Sequence, residues 1–253
     1  RYLVRGGRVG LRAWRSDELV ELPAGGCRIA HPGGPVDPSE LSRWVQDDGE
    51  LQVVVASQST TVLGVDDEPV QGDVIVRQRV GGRQFRVRAD GFWQVHPGAA
   101  QALTEAVLAG LQPRPGERAL DLYCGVGLFA GALVDAGCRV VGIEGNRAAV
   151  GLARENVPEA RFHATRLERA GKRLPPQTDL IVLDPSRTGA GAAVVRRLAE
   201  LDAKAIAYVA CDPAALARDL ATFAESGYRL QGLRAFDLFP MTHHVEAVAV
   251  LTK

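Results

Sequence analysis

Short alternating runs of apolar and polar residues fill the first third of the chain, and longer runs of helical period fill the rest. Leu51–Ala56 (LQVVVA), Thr60–Val65 and Val74–Val80 show the β-branched, two-residue alternation of strands. Gly81-Gly82 parts Val74–Val80 from Gln84–Arg88, which predicts a hairpin, because two glycines supply the positive φ angles of a tight turn. The period changes near Phe92. Residues 97–111 place Ala99, Leu103, Ala106, Val107 and Leu111 on one helical stripe. Strands over 118–122, 139–144, 179–184 and 205–210 then alternate with helices over 128–136, 147–156, 192–201 and 214–226. Such alternation predicts an α/β fold, a parallel sheet with helices on both faces. Residues 228–238 and 245–252 close the chain as strands without a helix between them, so one of the two is expected to run antiparallel. The division predicted is a β-rich segment over 1–90 and an α/β domain over 91–253.

Composition narrows the class. A chain of 253 residues, 46% hydrophobic and 24% charged, has the balance of a soluble globular protein with one large domain and a smaller attachment. No run of 18 apolar residues occurs, so no transmembrane helix and no membrane role are expected. Arg1–Gly10 is basic and glycine-rich, unlike a signal peptide. Four cysteines are too few for a disulfide scaffold, so a reducing cytoplasm is the expected compartment. The single methionine is Met241, which suggests a piece of a longer protein whose N-terminal partner domain is out of view. Only Lys172, Lys204 and Lys253 of the 30 basic residues are lysines, a bias of base composition rather than of function. A net charge of zero excludes a uniformly basic nucleic-acid coat but leaves room for a local patch. Arg77, Arg79, Arg83, Arg86 and Arg88 form such a cluster on the predicted hairpin, either a solvated face or a phosphate-contacting ribbon.

Chemistry concentrates at strand ends. Leu120–Phe129 (LDLYCGVGLF) runs a strand into Gly125-x-Gly127 and then a helix, and ligands of such sheets sit at the carboxyl ends of the strands. Glycines there let the backbone approach a ligand without a Cβ clash. Gly125–Ala130 also fits the dinucleotide form G-x-G-x-x-G/A, and Glu144, 17 residues beyond Gly127, suits a ribose diol in either NAD or S-adenosylmethionine. Asp121, four residues before Gly125, favours the second ligand if its charge faces the site, where a sulfonium is welcome and a pyrophosphate is not. A plain structural glycine turn is the bland alternative.

Further along, Asp184-Pro185-Ser186-Arg187 leaves a carboxylate at the same sheet edge; alone it would read as a turn before proline. Cys211 ends a strand just before a helix, whose N-terminus should lower the thiol pKa, while Asp212 should oppose this. Taken singly, Cys211 reads more readily as a buried structural cysteine. Cys124 and Cys138 read as structural, and no Cys/His spacing suggests zinc. Glu246 enters an apolar strand, which is costly unless the carboxylate is used or paired. His243 reads as a polar loop residue, and His244 stays open.

Together these stretches resemble the RNA uracil-5-methyltransferases, S-adenosylmethionine-dependent enzymes that form 5-methyluridine in tRNA and ribosomal RNA. The resemblance rests on FWQVHPG (92–98), LDLYCGVGLF (120–129), VGIEGN (141–146), LDPSRTGAG (183–191), YVACDPAALARDL (208–220) and FPMTHHVEAV (239–248), and covers residues 92–253. Residues 1–90 resemble the family's central β-rich segment more loosely. The resemblance implies a Rossmann-like class I methyltransferase sheet with helices on both faces, preceded by that smaller segment. It implies Cys211 as nucleophile and Glu246 as proton-abstracting base. Gln94, Tyr123, Glu144 and Asp184 would line the S-adenosylmethionine site, and Asp121, Gly125 and Gly127 would shape it; no metal is implied. Some members hold an iron–sulfur cluster, but only Cys27 of such a set is present. The family's usual N-terminal RNA-binding β-barrel is absent from the chain. Asp212 stands where Asn is common, and Leu128 where a polar residue is frequent.

The implied chemistry accounts for the residue set. Uracil C5 is a weak nucleophile until a thiolate adds at C6, which divides one hard step into easier ones. A carboxylate must then remove the C5 proton. The uracil has to leave its stack to reach the pocket, at roughly a few kcal/mol. Three alternatives stand beside this reading: a methyltransferase with another acceptor, a dinucleotide oxidoreductase, and a non-catalytic RNA-binding paralogue.

Overall fold

Every residue from 1 to 253 is described by the computed structural model except 14, 32, 45–47 and 65–66, and except the side chain of Lys172. Val65, the expected end of the second strand, lies outside the described residues. The chain divides into two units, Arg1–Arg79 with Arg86–Trp93, and Val80–Phe85 with Gln94–Lys253.

The first unit is built on antiparallel strands: β1 (Tyr2–Arg5), β2 (Arg8–Arg12), β3 (Leu19–Glu21), β4 (Gly49–Val55), β5 (Thr60–Leu63) and β6 (Pro69–Gln71), in the order β3-β2-β1-β4-β5-β6. Tyr2, Val4, Val9, Leu51 and Val62 are buried together with Leu41 of the short helix α1 (Pro38–Leu41). The predicted hairpin forms as β7 (Ile75–Val80) and β8 (Arg83–Arg88), but only Gly81 of its two turn glycines has a positive φ, +57°. Val76 and Val87 are buried while Arg77, Arg79, Arg86 and Arg88 are exposed, the two-residue alternation of a ribbon with one wet face.

The second unit holds a seven-stranded sheet in the order β11-β10-β9-β12-β13-β15-β14. Its strands are β9 (Arg118–Leu122), β10 (Arg139–Glu144), β11 (Arg161–Ala164), β12 (Leu180–Leu183), β13 (Ala205–Ala210), β14 (Arg229–Phe236) and β15 (Glu246–Thr252). The first five are parallel, and β15 is antiparallel to both β13 and β14. The helices are α2 (Ala99–Leu111), α3 (Leu128–Asp135), α4 (Arg147–Asn156), α5 (Ala192–Ala199) and α6 (Pro213–Glu225). The stripe predicted on α2 is buried throughout. Right-handed crossovers that run one way from β9 through α3 and α4, and the other way through α5 and α6, place these pairs on opposite faces. The α/β sheet and the β-rich segment before it are the fold the resemblance implies. β12 and β13 are buried at every residue, as strands covered on both faces must be. Among the described residues no helix is long and apolar enough to cross a membrane.

Candidate active site

The reversal of strand order at β9 and β12 opens the carboxyl edge of the sheet, and the loops after β9, β10, β12 and β13 meet there. The loop after β9 is wound tightly by three left-handed residues, Tyr123 (φ +59°), Gly125 (+53°) and Gly127 (+93°). A Cβ on Gly125 would meet open space, whereas one on Gly127 would lie 3.2 Å from Val157. Gly125 thus leaves the loop open in front, and Gly127 lets it pack behind. Glu144, at the end of β10, accepts the Gly125 N–H at 3.1 Å and the Asn146 N–H at 2.7 Å. A carboxylate has about four lone-pair positions, so two remain for a ligand. Tyr123 is half-buried, and burial, helped by the charges of Glu168, Asp219 and Glu144, pushes its phenol up to about 12.

Asp121 departs from the expectation that its charge faces the ligand. Its exposure is 0%, and Oδ2 accepts the Ala130 N–H at 2.8 Å in the first turn of α3. That helix begins at Gly127 and has no side-chain cap of its own. Asp121 therefore braces loop and helix from behind, and burial drives its carboxyl well above the ordinary range. Oδ1 finds no partner.

Across the edge, three groups converge. Ala210 of β13 pairs with Ala247 of β15. Cys211 follows Ala210 directly and Glu246 precedes Ala247, and the charge of Glu246 reaches the thiol. Glu246 is 3% exposed, and burial lifts its carboxyl to about 7. Asp184 follows β12; part of its surface stays open, yet burial and then the charge of Glu246 raise it to about 8.

The thiol also departs from expectation. Its pKa is raised, first by burial and then by the charges of Glu246 and Asp184, against a smaller opposing contribution from Arg187. The positive end of α6 does not prevail because Pro213 brings no N–H there, and the Asp212 carboxylate caps the helix by accepting the Ala215 N–H at 2.7 Å.

His244 lies on the loop before β15, its ring 5.9 Å from that of Phe239 and 4.3 Å from that of His243. Burial, His243 and Arg187 lower its pKa while Asp212 opposes them. Gln94 is half-buried ahead of α2 and shares no hydrogen bond or charge interaction with the strand-end group among the described residues. Cys124 and Cys138 are buried, as expected of structural cysteines. Among the described residues no His, Cys, Asp and Glu cluster of three or more could hold a metal. Arg83 is withdrawn from the arginine face: its guanidinium binds Asp135 at 2.6 Å, Glu159 at 3.2 Å and the Asn156 carbonyl at 3.0 Å.

Sequence reasoning assigned no role to Asp219 or Tyr208. Asp219 Oδ2 accepts the Tyr208 O–H at 2.6 Å and the Ala190 N–H at 2.7 Å, and Oδ1 accepts the Gly191 N–H at 3.2 Å. The signal was present: Asp219 stands in the apolar stripe of α6 with Ala215, Leu216 and Phe223, where a carboxylate is buried only if bound.

Residues 170–253 match the family described as tRNA (Uracil-5-)-methyltransferase. An uncharacterized RNA methyltransferase of Streptomyces avermitilis is 46% identical over 97% of this chain and 64% of its own length. The 23S rRNA (uracil(1939)-C(5))-methyltransferase of Pseudomonas fluorescens Pf0-1 is 38% identical over 83% of this chain and 44% of its own length. Among solved structures, the tRNA (uracil-54, C5)-methyltransferase of Pyrococcus abyssi, in complex with S-adenosyl-L-homocysteine, is 30% identical with a TM-score of 0.64, over 80% of this chain and 50% of that one. The chain thus spans less than two thirds of the length of each of these relatives. By the matched segment, the relatives and the shared fold, the chain is similar to the RNA uracil-5-methyltransferases.

Proposed function

We propose that the protein transfers a methyl group from S-adenosylmethionine to C5 of a uridine in tRNA or ribosomal RNA, in the cytoplasm, through a covalent bond from Cys211 to C6. The observation that supports this most is that a buried Glu246 and Asp184 both bear electrostatically on Cys211, where the paired strands β13 and β15 end.

The donor's site fits the residues present. Gly125 leaves open space, and Glu144 keeps two lone-pair positions for a ribose diol. Gln94, Tyr123 and Asp184 line the site in this reading, while Asp121, Gly125 and Gly127 hold its shape. S-adenosylmethionine supplies an electrophilic methyl group when bound.

Cys211, as its thiolate, forms a bond to C6, and the C5–C6 electron pair becomes available at C5, which takes the methyl group; the methyl–sulfur bond of the donor would break, leaving the neutral thioether S-adenosylhomocysteine. Glu246 then accepts the C5 proton. The electron pair of that C–H bond re-forms the C5–C6 double bond, and the C6–S bond breaks to return the thiolate. A carboxyl held near 7 both takes and releases a proton at neutral pH, the requirement for a general base that must reset. A non-catalytic RNA-binding role would leave the cost of burying Glu246 without a use.

The test is RNA carrying 5-fluorouracil, offered with the methyl donor to the full-length protein. Fluorine cannot leave as a proton, so a denaturant-resistant adduct should accumulate and map to Cys211. Mapping to Cys124 or Cys138 would overturn the nucleophile assignment. Methyl transfer to ordinary RNA by Cys211→Ala would overturn the covalent route.

A further inference from the structure

Between β12 and α5, residues 185–191 form a loop that carries the exposed Arg187, and this loop is tied down from behind. Gly191 starts α5 with φ +81° and no side-chain cap. The missing acceptor comes from another helix: Asp219 of α6 takes the N–H groups of both Ala190 and Gly191. Tyr208 of β13 donates its O–H to Asp219 and accepts the Ala190 N–H at 3.1 Å, closing a three-way knot. Asp219 is 4% exposed and Tyr208 0%. Gly189 has φ +79°, and a Cβ there would lie 2.7 Å from Asp219 Oδ2, so the close approach is built into the loop.

We propose that Asp219 and Tyr208 are positioning residues that lock the 185–191 loop and so fix Arg187 relative to Cys211. The knot brackets the thiol in sequence and in space. Tyr208 lies three residues before Cys211 on the same strand, and Asp219 lies on the helix that starts directly after it. A serine or aspartate at position 191 would cap α5 locally. A buried carboxylate reaching across from α6 instead couples the loop to the strand and helix that hold the thiol. Burial, Glu246 from β15 and Asp184 at the end of β12 disfavour the Cys211 thiolate, while a backbone hydrogen bond and Arg187 from this loop favour it, and Arg187 is the one cation among these groups. Its placement sets its share of that offset.

The proposal takes its catalytic meaning from Cys211 as nucleophile, but its test needs neither RNA nor methyl donor. Iodoacetamide alkylation of Cys211, followed by peptide mass mapping across pH, reads the thiolate directly. Tyr208→Phe and Asp219→Asn should each slow alkylation near neutral pH by about two- to threefold, with the rate recovering in alkali. Arg187→Gln should slow it equally, and the Asp219→Asn, Arg187→Gln double variant no further. Amide exchange at Ala190 and Gly191 should quicken about tenfold in both single knot variants. Loss of the Asp219 charge alone would favour the thiolate, so the sign of the change separates displacement of Arg187 from plain electrostatics. Unchanged or faster alkylation, or additive slowing in the double variant, overturns the proposal. Should Asp219→Asn fail to fold, Tyr208→Phe, which leaves Asp219 its backbone partners, decides alone by the same criteria with its own Arg187→Gln double variant.

Discussion

Replacing Glu246 with glutamine should stabilise the protein and at the same time trap its reaction. Burial lifts this carboxyl from its ordinary 4.5 to about 7. The folded state therefore holds the proton more tightly than the unfolded chain. Stability is full below about pH 4.5 and is lost as pH climbs towards 7, by roughly 3 kcal/mol at about 1.4 kcal/mol per pH unit. Glutamine never ionises, but its buried amide keeps a cost of about 1–2 kcal/mol. The net expectation is a gain of about 1–2 kcal/mol near pH 8, or about 2–8 °C in melting temperature for a domain of this size, and a loss of about 1–2 kcal/mol near pH 4.5, where Glu246 is already protonated. Removing the Glu246 charge also lets Asp184 ionise more easily, which acts in the same direction. Thermal melts of both proteins from about pH 4.5 to 8 read this, and a melting difference that does not vary with pH would refute it. In the reaction, attack by Cys211 and methyl transfer do not need the base, so a methylated RNA–protein adduct should accumulate on denaturing gels over time. Normal turnover would make Glu246 structural and turn attention to His244. Loss of methyl transfer with both substrates still bound would give Glu246 an earlier, positioning role.

Glu144→Ala should weaken binding of S-adenosylmethionine by about 10- to 150-fold, the worth of a charged hydrogen bond at roughly 1.5–3 kcal/mol, measured by calorimetry; equal binding would remove the ribose assignment. Arg83→Ala should cost about 0.5–1.5 kcal/mol in denaturant melts, since it removes a guanidinium that is 16% exposed while Asp135 and Glu159, 54% and 52% exposed, stay hydrated. Arg77→Gln with Arg79→Gln should leave stability within about 0.5 kcal/mol. It should also flatten the salt dependence of RNA binding by up to about one and a half in log–log slope if both arginines meet phosphates, while an unchanged slope would make the ribbon face plain structure. Gly142→Ala should destabilise by about 1–3 kcal/mol, because its Cβ would fall 2.4 Å from the Phe162 ring, and a neutral result would mean that the ring shifts freely.

Where pattern and neighbours agree, the elements were legible from sequence: β9, β10, α4 and β13 begin and end at the residues the periodicity marks. β11 was invisible because Arg161–Ala164 (RFHA) is short, carries no β-branched residue and pairs with β10 alone. β3 and β6, three residues each, are likewise too short to stand out, while β1 (YLVR) and β2 (RVGLR) are broken up by arginine and glycine. Candidate site residues could be located at strand ends, but not oriented. Nothing local to Asp121 says that its carboxyl turns back under α3 rather than out of the loop. The thiol failed as a local reading for the same reason: Asp184 and Glu246, which oppose its ionisation, arrive from distant strands, and Asp212 spends itself on the helix cap. Arg83 looked like its four hairpin neighbours because Asp135 and Glu159 lie far along the chain.

The insertion of β15 between β13 and β14 also sets an order of assembly during synthesis. The glycine loop, Glu144 and Asp184 emerge from the ribosome well before residue 246, and the thiol emerges 35 residues ahead of the Glu246 carboxyl. Until residues 246–252 have been made, β13 lacks its neighbour β15 and presents a bare edge. Only when the last strand slides in, pairing Ala205 with Thr252 at one end and Ala210 with Ala247 at the other, is that edge closed and the base delivered. If Cys211 and Glu246 act as proposed, an interrupted translation product would engage a uridine through sulfur without being able to let it go, and completion of this one strand would protect the RNA as much as the fold.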